Sequence, residues 1–419
     1  MSRVPAQRET GLRVHRKREV SPLRRQAQAR VLAALVVAVT FAVTYTSTVK
    51  LRPLFAPDSR YYAGMALWFG GESQAEAARQ VAEVSAKSGW ASPAASVLFG
   101  WGLVQPRVVL PALSVPFVKL WGIDGLVVVP GLALAALIGL MAWQLSRRYG
   151  TVAALGAVVL IMCSPQIMFY GSAMLTESLS ALWGALTLAA AWRYQRRPGW
   201  APVAAMVGLT LVSAFTRQST LIVAGAFVVA WLAALVLRHR PNGWGVAALA
   251  VGGTSVVAQV VQTVLFPTFS QLDQFKTKTG ADSLSGALLA APRLAWHIAR
   301  TDVKTFALAD RPLLVLVALC ILSGLVFWRR EETHLLLGAF AGTELYGVTN
   351  GTPTAFRYAM PGLVFFALSL ALLFSRAVQR TGQPARTDDL EPGRESPLEP
   401  GGESPRRTVS SGQGQRGVA

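Results

Sequence analysis

Apolar runs about as long as a bilayer-spanning helix, on the order of 20 residues, recur along this chain. They lie near 31–48, 124–145, 152–170, 178–193, 200–216, 219–237, 244–266, 312–328, 333–349 and 358–376. The pattern predicts an all-α fold, a polytopic bundle of about ten transmembrane helices. A further apolar stretch, 106–121 (PRVVLPALSVPFVKLW), is short and carries three prolines and two basic residues. It is read as an interfacial or re-entrant segment and not as a span.

The polar breaks test that count. With the N-terminus inside, the short inside loops hold Arg147 and Arg148; Arg193, Arg196 and Arg197; Arg238 and Arg240; Arg329 and Arg330. The short outside turns hold Arg217 and Arg357. Nine basic residues against two is a coherent positive-inside bias. Counting 106–121 as a span would reverse every later loop. Both termini are therefore expected in the cytoplasm, with 31–48 a signal anchor that is kept.

Two longer segments then fall outside, 49–123 and 267–311. The first contains a helical stretch (SQAEAARQVAEVSAK) and the aromatic-rich PDSRYYAGMALWF. The second contains SGALLAAPRLAWHIARTDV. There Arg293, His297 and Arg300 share one helical face, and Ala287, Ala291, Leu294 and Ile298 another. That is the pattern of an amphipathic helix lying on a bilayer surface. Three regions result: a basic cytoplasmic segment, 1–30; a membrane domain, 31–376; and a Pro/Gly/Ser-rich tail, 377–419. The tail contains an imperfect tandem octamer, LEPGRESP then LEPGGESP, and is expected to be disordered.

Composition narrows the function classes. The 419 residues are 53% hydrophobic and 15% charged, against about 25% charged in soluble domains. The net charge of +19 lies mainly in the first 30 residues and the inside loops. It therefore reads as an orientation signal, and no nucleic-acid partner is expected. Arg outnumbers Lys 33 to 7, a bias of GC-rich coding that points to a bacterial source. Both cysteines, Cys163 and Cys320, lie in apolar runs, and no two of the four histidines stand at ligand spacing. No disulfide framework or metal site is expected. No Walker loop, dinucleotide fingerprint or nucleophile elbow stands in a strand–helix setting.

Polar residues in or beside a span are costly and worth weighing singly. Asp58, just after the first span, is a general base for a hydroxyl acceptor or the N-cap of a following helix. Glu177, in LTESL, is a second acid in the same cavity or a favourable charge at a helix start capped by Thr176. Arg217, in AFTRQST, resists the orientation rule. It wants an anion such as a lipid phosphate, or else snorkels or pairs with Glu177. Arg107 opens PRVVLP at the outer mouth of the second span. Glu344 lies about one and a half turns below the outer end of span nine, where Arg357 is a plausible ion-pair partner. Tyr61 and Tyr62 stand beside Asp58 and could line a sugar site. All of these fall on the outer side. Two acids and several arginines near one cavity suit a substrate with a phosphate and a hydroxyl.

The order of these elements resembles that of GT-C glycosyltransferases. An acid follows the first span, then come a long outer loop and an Arg–x–x–x–Pro element (Arg107 to Pro111). A basic inside loop (SRRYG), a span ending in CSPQ, an outside TE, an outside TR and a last span opening with RY and Pro continue the match. Over residues 31–376 the chain is similar to bacterial relatives of protein O-mannosyltransferases and lipid A aminoarabinose transferases. The resemblance implies a polyprenyl-phosphate sugar as donor at the outer face of the plasma membrane. It also implies a glycan, lipid or protein hydroxyl as acceptor, and no separate cofactor. It makes Asp58 the catalytic base, Glu177 the second acid of the cavity, and Arg217 and Arg357 ligands of the donor phosphate. Here a single acid is followed by Ser59 where the family pattern has an Asp-Glu pair. The alternatives are a transporter or flippase for a lipid-linked glycan, and a non-catalytic membrane protein.

Overall fold

The computed structural model describes residues 22–237, 243–267, 270–351, 353 and 355–381. Most of the basic N-terminal segment, Arg238, Arg240 and the tail from 382 lie outside the described residues. By contacts the chain divides into residues 1–378 and 379–419; of the second unit only 379–381, the end of the last helix, are described.

Among the described residues the fold is all-helical. The first helix, α1 (Pro22–Leu51), presents Val31, Leu35, Val39 and Val43 outward, each more than half exposed. An exposed apolar stripe of that length marks a face that packs against lipid or another protein. Within it Thr44, Thr46 and Thr48 turn their hydroxyls back onto carbonyls four residues earlier, at 2.6–2.8 Å. That satisfies them without water. Short helices follow: α2 (Ser59–Phe69), α3 (Gln74–Lys87), α4 (Ala95–Gly100) and α5 (Val109–Trp121). Helix α3 is the expected SQAEAARQVAEVSAK helix, and Ser73 caps it by accepting from the Glu76 N–H. Helix α5 covers the proline-containing stretch. Its 13 residues span roughly 20 Å, less than a hydrocarbon core. It packs on α2, and a 3-10 turn, Gly122–Val127, leads to α6 (Val128–Tyr149).

The run 152–170 is not one straight span. It is α7 (Thr151–Met162) and α8 (Pro165–Ser172), bent by 76°. Pro165 has no N–H to continue α7. Ser164 caps α8, accepting from the Ile167 N–H at 3.1 Å. Buried Asp310 then joins two helix starts: one oxygen accepts from Ser164 Oγ (2.6 Å) and the Gln166 N–H (2.9 Å), the other from the Leu313 N–H (2.9 Å). A carboxylate facing two helix N-termini is favourably placed.

The remaining helices are α9 (Glu177–Arg196), α10 (Trp200–Thr216), α11 (Thr220–Val236), α12 (Trp244–Leu265), α13 (Gln271–Thr279), α14 (Leu284–Ala309), α15 (Arg311–Val326), α16 (Glu331–Asn350) and α17 (Leu363–Thr381). A 3-10 turn, Arg357–Gly362, precedes α17. Helices α11 and α16 meet backbone to backbone: a Cβ on Gly338 would lie 2.2 Å from the Gly225 carbonyl oxygen. Small residues permit that approach where lipid supplies no hydrophobic drive between helices. The expected amphipathic helix is α14. It buries Ala287 and Ile298, while Arg293, His297, Arg300 and Trp296 stay exposed. Among the described residues four stretches are long and apolar enough to cross a membrane, one of them Val109–Tyr149, which takes in both α5 and α6, or five if the bent pair counts as one. Helices α10, α11 and α15 are apolar but shorter.

Candidate functional site

Two backbone ties bring distant acids together. The segment after α1 lies along the loop between α8 and α9. Met174 N–H donates to the Leu54 carbonyl (3.1 Å), and Ser59 Oγ donates to the Met174 carbonyl (2.9 Å). Asp58 and Glu177 thereby start neighbouring helices, α2 and α9. The turn carrying Arg357 rests on α9 at Gly184, where a Cβ would stand 2.7 Å from the Pro361 carbonyl oxygen. Just before Arg357, Ala355 and Phe356 both have positive φ, +48° and +77°. Two such non-glycine residues in sequence are strained and need support from their surroundings. Asp302 gives it by accepting from the Ala355 N–H (2.9 Å), and the Phe356 ring is buried against Phe306 and Phe366.

The result is a chain of charges. Arg357 Nη2 donates to Asp58 (2.5 Å), and Arg357 Nε donates to Glu177 Oε1. Arg217 Nη1 donates to the same Glu177 oxygen (2.8 Å) and to Thr176 Oγ1 (3.3 Å). The Arg217 guanidinium also lies over the rings of Tyr346 and Tyr358, at 5.8 and 5.4 Å. Such faces attract a desolvated cation. Glu177 Oε2 and Arg217 Nε are buried without hydrogen-bond partners among the described residues. Beside this chain Arg107, 3% exposed, donates to Gln218 Oε1 (2.9 Å) and to the Tyr62 hydroxyl (3.0 Å). Burial pushes the Asp58 carboxyl up. Arg357, with Arg107 and Arg217 behind it, outweighs this and holds it below the usual carboxylate range.

Five of the residues singled out by sequence, Asp58, Glu177, Arg107, Arg217 and Arg357, therefore converge, with Tyr62 bonded to Arg107. Tyr61 is elsewhere on α2, packed on Trp101 with centroids 4.8 Å apart. Three sequence alternatives need correction. Asp58 does stand at the N-cap of α2, but its side chain makes no capping bond because Arg357 takes it. Thr176 likewise does not cap α9 and is engaged by Arg217. Glu344 is not the partner of Arg357, whose guanidinium is held by Asp58 and Glu177. The Arg217–Glu177 pair, raised as an alternative, is present. Gln218, Tyr346 and Tyr358 were not singled out. For Gln218 and Tyr358 the signal was adjacency, since they directly follow Arg217 and Arg357 and buried guanidiniums need partners; Tyr346 carried no such signal.

Next to the chain of charges Gln218, Gln271, Gln274, Asn350 and Tyr346 line a small space of about 10 Å³, room for about one water. No protein-family model, curated protein or solved structure matches the chain.

Proposed function

We propose that the chain is a membrane glycosyltransferase of GT-C type, moving a sugar from a polyprenyl-phosphate donor to a hydroxyl acceptor at the outer face of the plasma membrane. One observation carries the reading: two carboxylates and three guanidiniums from five separate segments meet at one end of the bundle. The surplus positive charge of these five side chains suits a phosphate. The topology that goes with it has ten spans and both termini in the cytoplasm. A helix at each of the ten apolar runs, one of them broken, supports that count.

In the reaction the acceptor oxygen attacks the anomeric carbon while Asp58 takes its proton. The bond from that carbon to the phosphate oxygen breaks, and polyprenyl phosphate leaves with the electron pair. Guanidiniums beside it stabilise the anion. Glu177 acts as a positioning residue, since it is fully buried and holds Arg217 and Arg357 in place.

The bent α7–α8 pair, with Tyr170 beside Arg357, favours a second reading, a transporter for a lipid-linked glycan. Broken helices line transporter sites. The discriminating assay uses the purified full chain in nanodiscs, given a polyprenyl-phosphate hexose and a hydroxyl acceptor. Hexosylated acceptor and free polyprenyl phosphate are expected. No transfer in nanodiscs, with donor translocation in sealed vesicles, would replace the transferase by the transporter.

A further inference from the structure

Exposure rises along the chain of charges. Glu177 is fully buried and Arg217 is 2% exposed, whereas the side chains of Arg357 and Asp58 are 19% and 25% exposed. An incoming group therefore meets the Asp58–Arg357 pair first. The two halves of Arg357 also differ in what holds them. Its Nε faces Glu177, which Arg217 secures from the other side. Its Nη2 faces Asp58, for which Arg357 is the hydrogen-bond donor. Breaking the buried contact would leave an uncompensated charge without water. Breaking the exposed one leaves a carboxylate that water or a substrate hydroxyl can solvate. Asp58 is also masked as it stands, because a carboxylate held by a guanidinium is a weakened base.

We infer that Asp58 and the donor phosphate compete for one guanidinium edge, that of Arg357, so that donor binding uncovers the base. This rests on the lipid-phosphate transferase reading. It separates three arginines that the sequence left equivalent. Arg217 is enclosed by Glu177, Thr176 and two tyrosine rings, and Arg107 by Gln218 and Tyr62, so both shape the site. Arg357 is the exchangeable seat. An Asp58 freed before the donor arrives would hold a proton acceptor beside water. Coupling the two events confines base action to the loaded site. It also makes a counter-intuitive demand: removing the base charge improves binding of the phosphate.

The test is a double-mutant cycle on the full chain in nanodiscs, with farnesyl phosphate as the probe. Asp58→Asn is expected to bind it about tenfold tighter than wild type, about 1.4 kcal/mol. Arg357→Ala is expected to weaken binding and to abolish the gain from Asp58→Asn. Unchanged or weaker binding by Asp58→Asn overturns the inference alone. So does a gain that persists in the double variant, because that is general repulsion and not exchange. No detectable binding by wild type or Asp58→Asn overturns the inference together with the lipid-phosphate reading. Should Asp58→Asn fail to fold, carbodiimide modification of Asp58 in the wild type gives the same answer. Farnesyl phosphate should increase it, and protection would contradict the exchange.

Discussion

Two arginine–carboxylate clusters flank α16, one at each end, and they are built on opposite principles. At the Glu331 end, Arg148 from the last turn of α6 meets Glu331 and Glu332 in the first turn of α16. Trp244 Nε1 donates to Glu331 (3.3 Å) and the Tyr149 hydroxyl to Glu332 (2.7 Å). Acids at a helix start and a base at a helix end are where the macrodipole favours them. Arg148 and Glu331 are about one-third exposed, and one guanidinium serves two carboxylates. Helix geometry accounts for that cluster. At the Asp58 end, Arg217 and Arg357 hold the two carboxylates, a third guanidinium, Arg107, is bonded to Gln218 and Tyr62 beside them, and the central members are buried. Neither Asp58 nor Thr176 performs the capping its position offers. Local structure has been passed over for a long-range arrangement, and the balance of charge is left positive. The first cluster ties helices together; on the function proposed above, the second receives an anion.

That contrast can be broken by mutation. The largest expected effect is at Glu177. Glu177→Gln leaves Arg217 and Arg357 short of a buried partner and should cost about 3–5 kcal/mol, read as a loss of thermal or denaturant stability in detergent. A cost under 1 kcal/mol would make the two clusters alike. Gly184→Ala comes next. Its Cβ would press on the turn that carries Arg357, so about 1–3 kcal/mol is expected, together with weaker farnesyl phosphate binding. Arg148→Ala is the smallest: about 1 kcal/mol or less, with sugar transfer unchanged. A large loss of transfer there would contradict the assignment of the Glu331 end.

Protonation separates the ends further. Asp58 has its carboxyl lowered in the fold, so its ion pair contributes fully above the unfolded value, about 3.8. That contribution is lost only as pH falls through the lower folded value. Comparing the melting temperature of wild type and Asp58→Asn across pH should therefore give a constant difference above about pH 5. A difference that disappears on going from pH 7 to pH 5 would mean that Asp58 is not held by Arg357.

Much of the helical content was legible because long apolar runs mark helices, although among the described residues only four, or five with the bent pair, are long and apolar enough to cross a membrane. A helix lies at each of the ten apolar runs. The acids and arginines of the site were legible because a charge beside an apolar helix demands a reason. What local sequence could not convey was partner choice. Asp58 and Thr176 read as caps because capping is a contact within three residues. The competing donors, Arg357 and Arg217, are 299 and 41 residues away. The Glu344–Arg357 pairing failed for the same reason, since nearness along the chain is not nearness in the fold. The break in 152–170 was written in Pro165, but its bend of 76° is fixed by Asp310, 146 residues from Ser164.

The central claim is that the Asp58–Arg357–Glu177 chain is a chemical site and not only a clamp. The most direct measurement is the rate of hexose transfer from a polyprenyl-phosphate hexose by Asp58→Asn, at equal folded protein. The amide keeps the shape and can still accept from Arg357, so folding should be retained. Transfer should fall by at least about a hundredfold, as expected for loss of a general base. A folded Asp58→Asn protein that transfers hexose at near the wild-type rate would contradict the account.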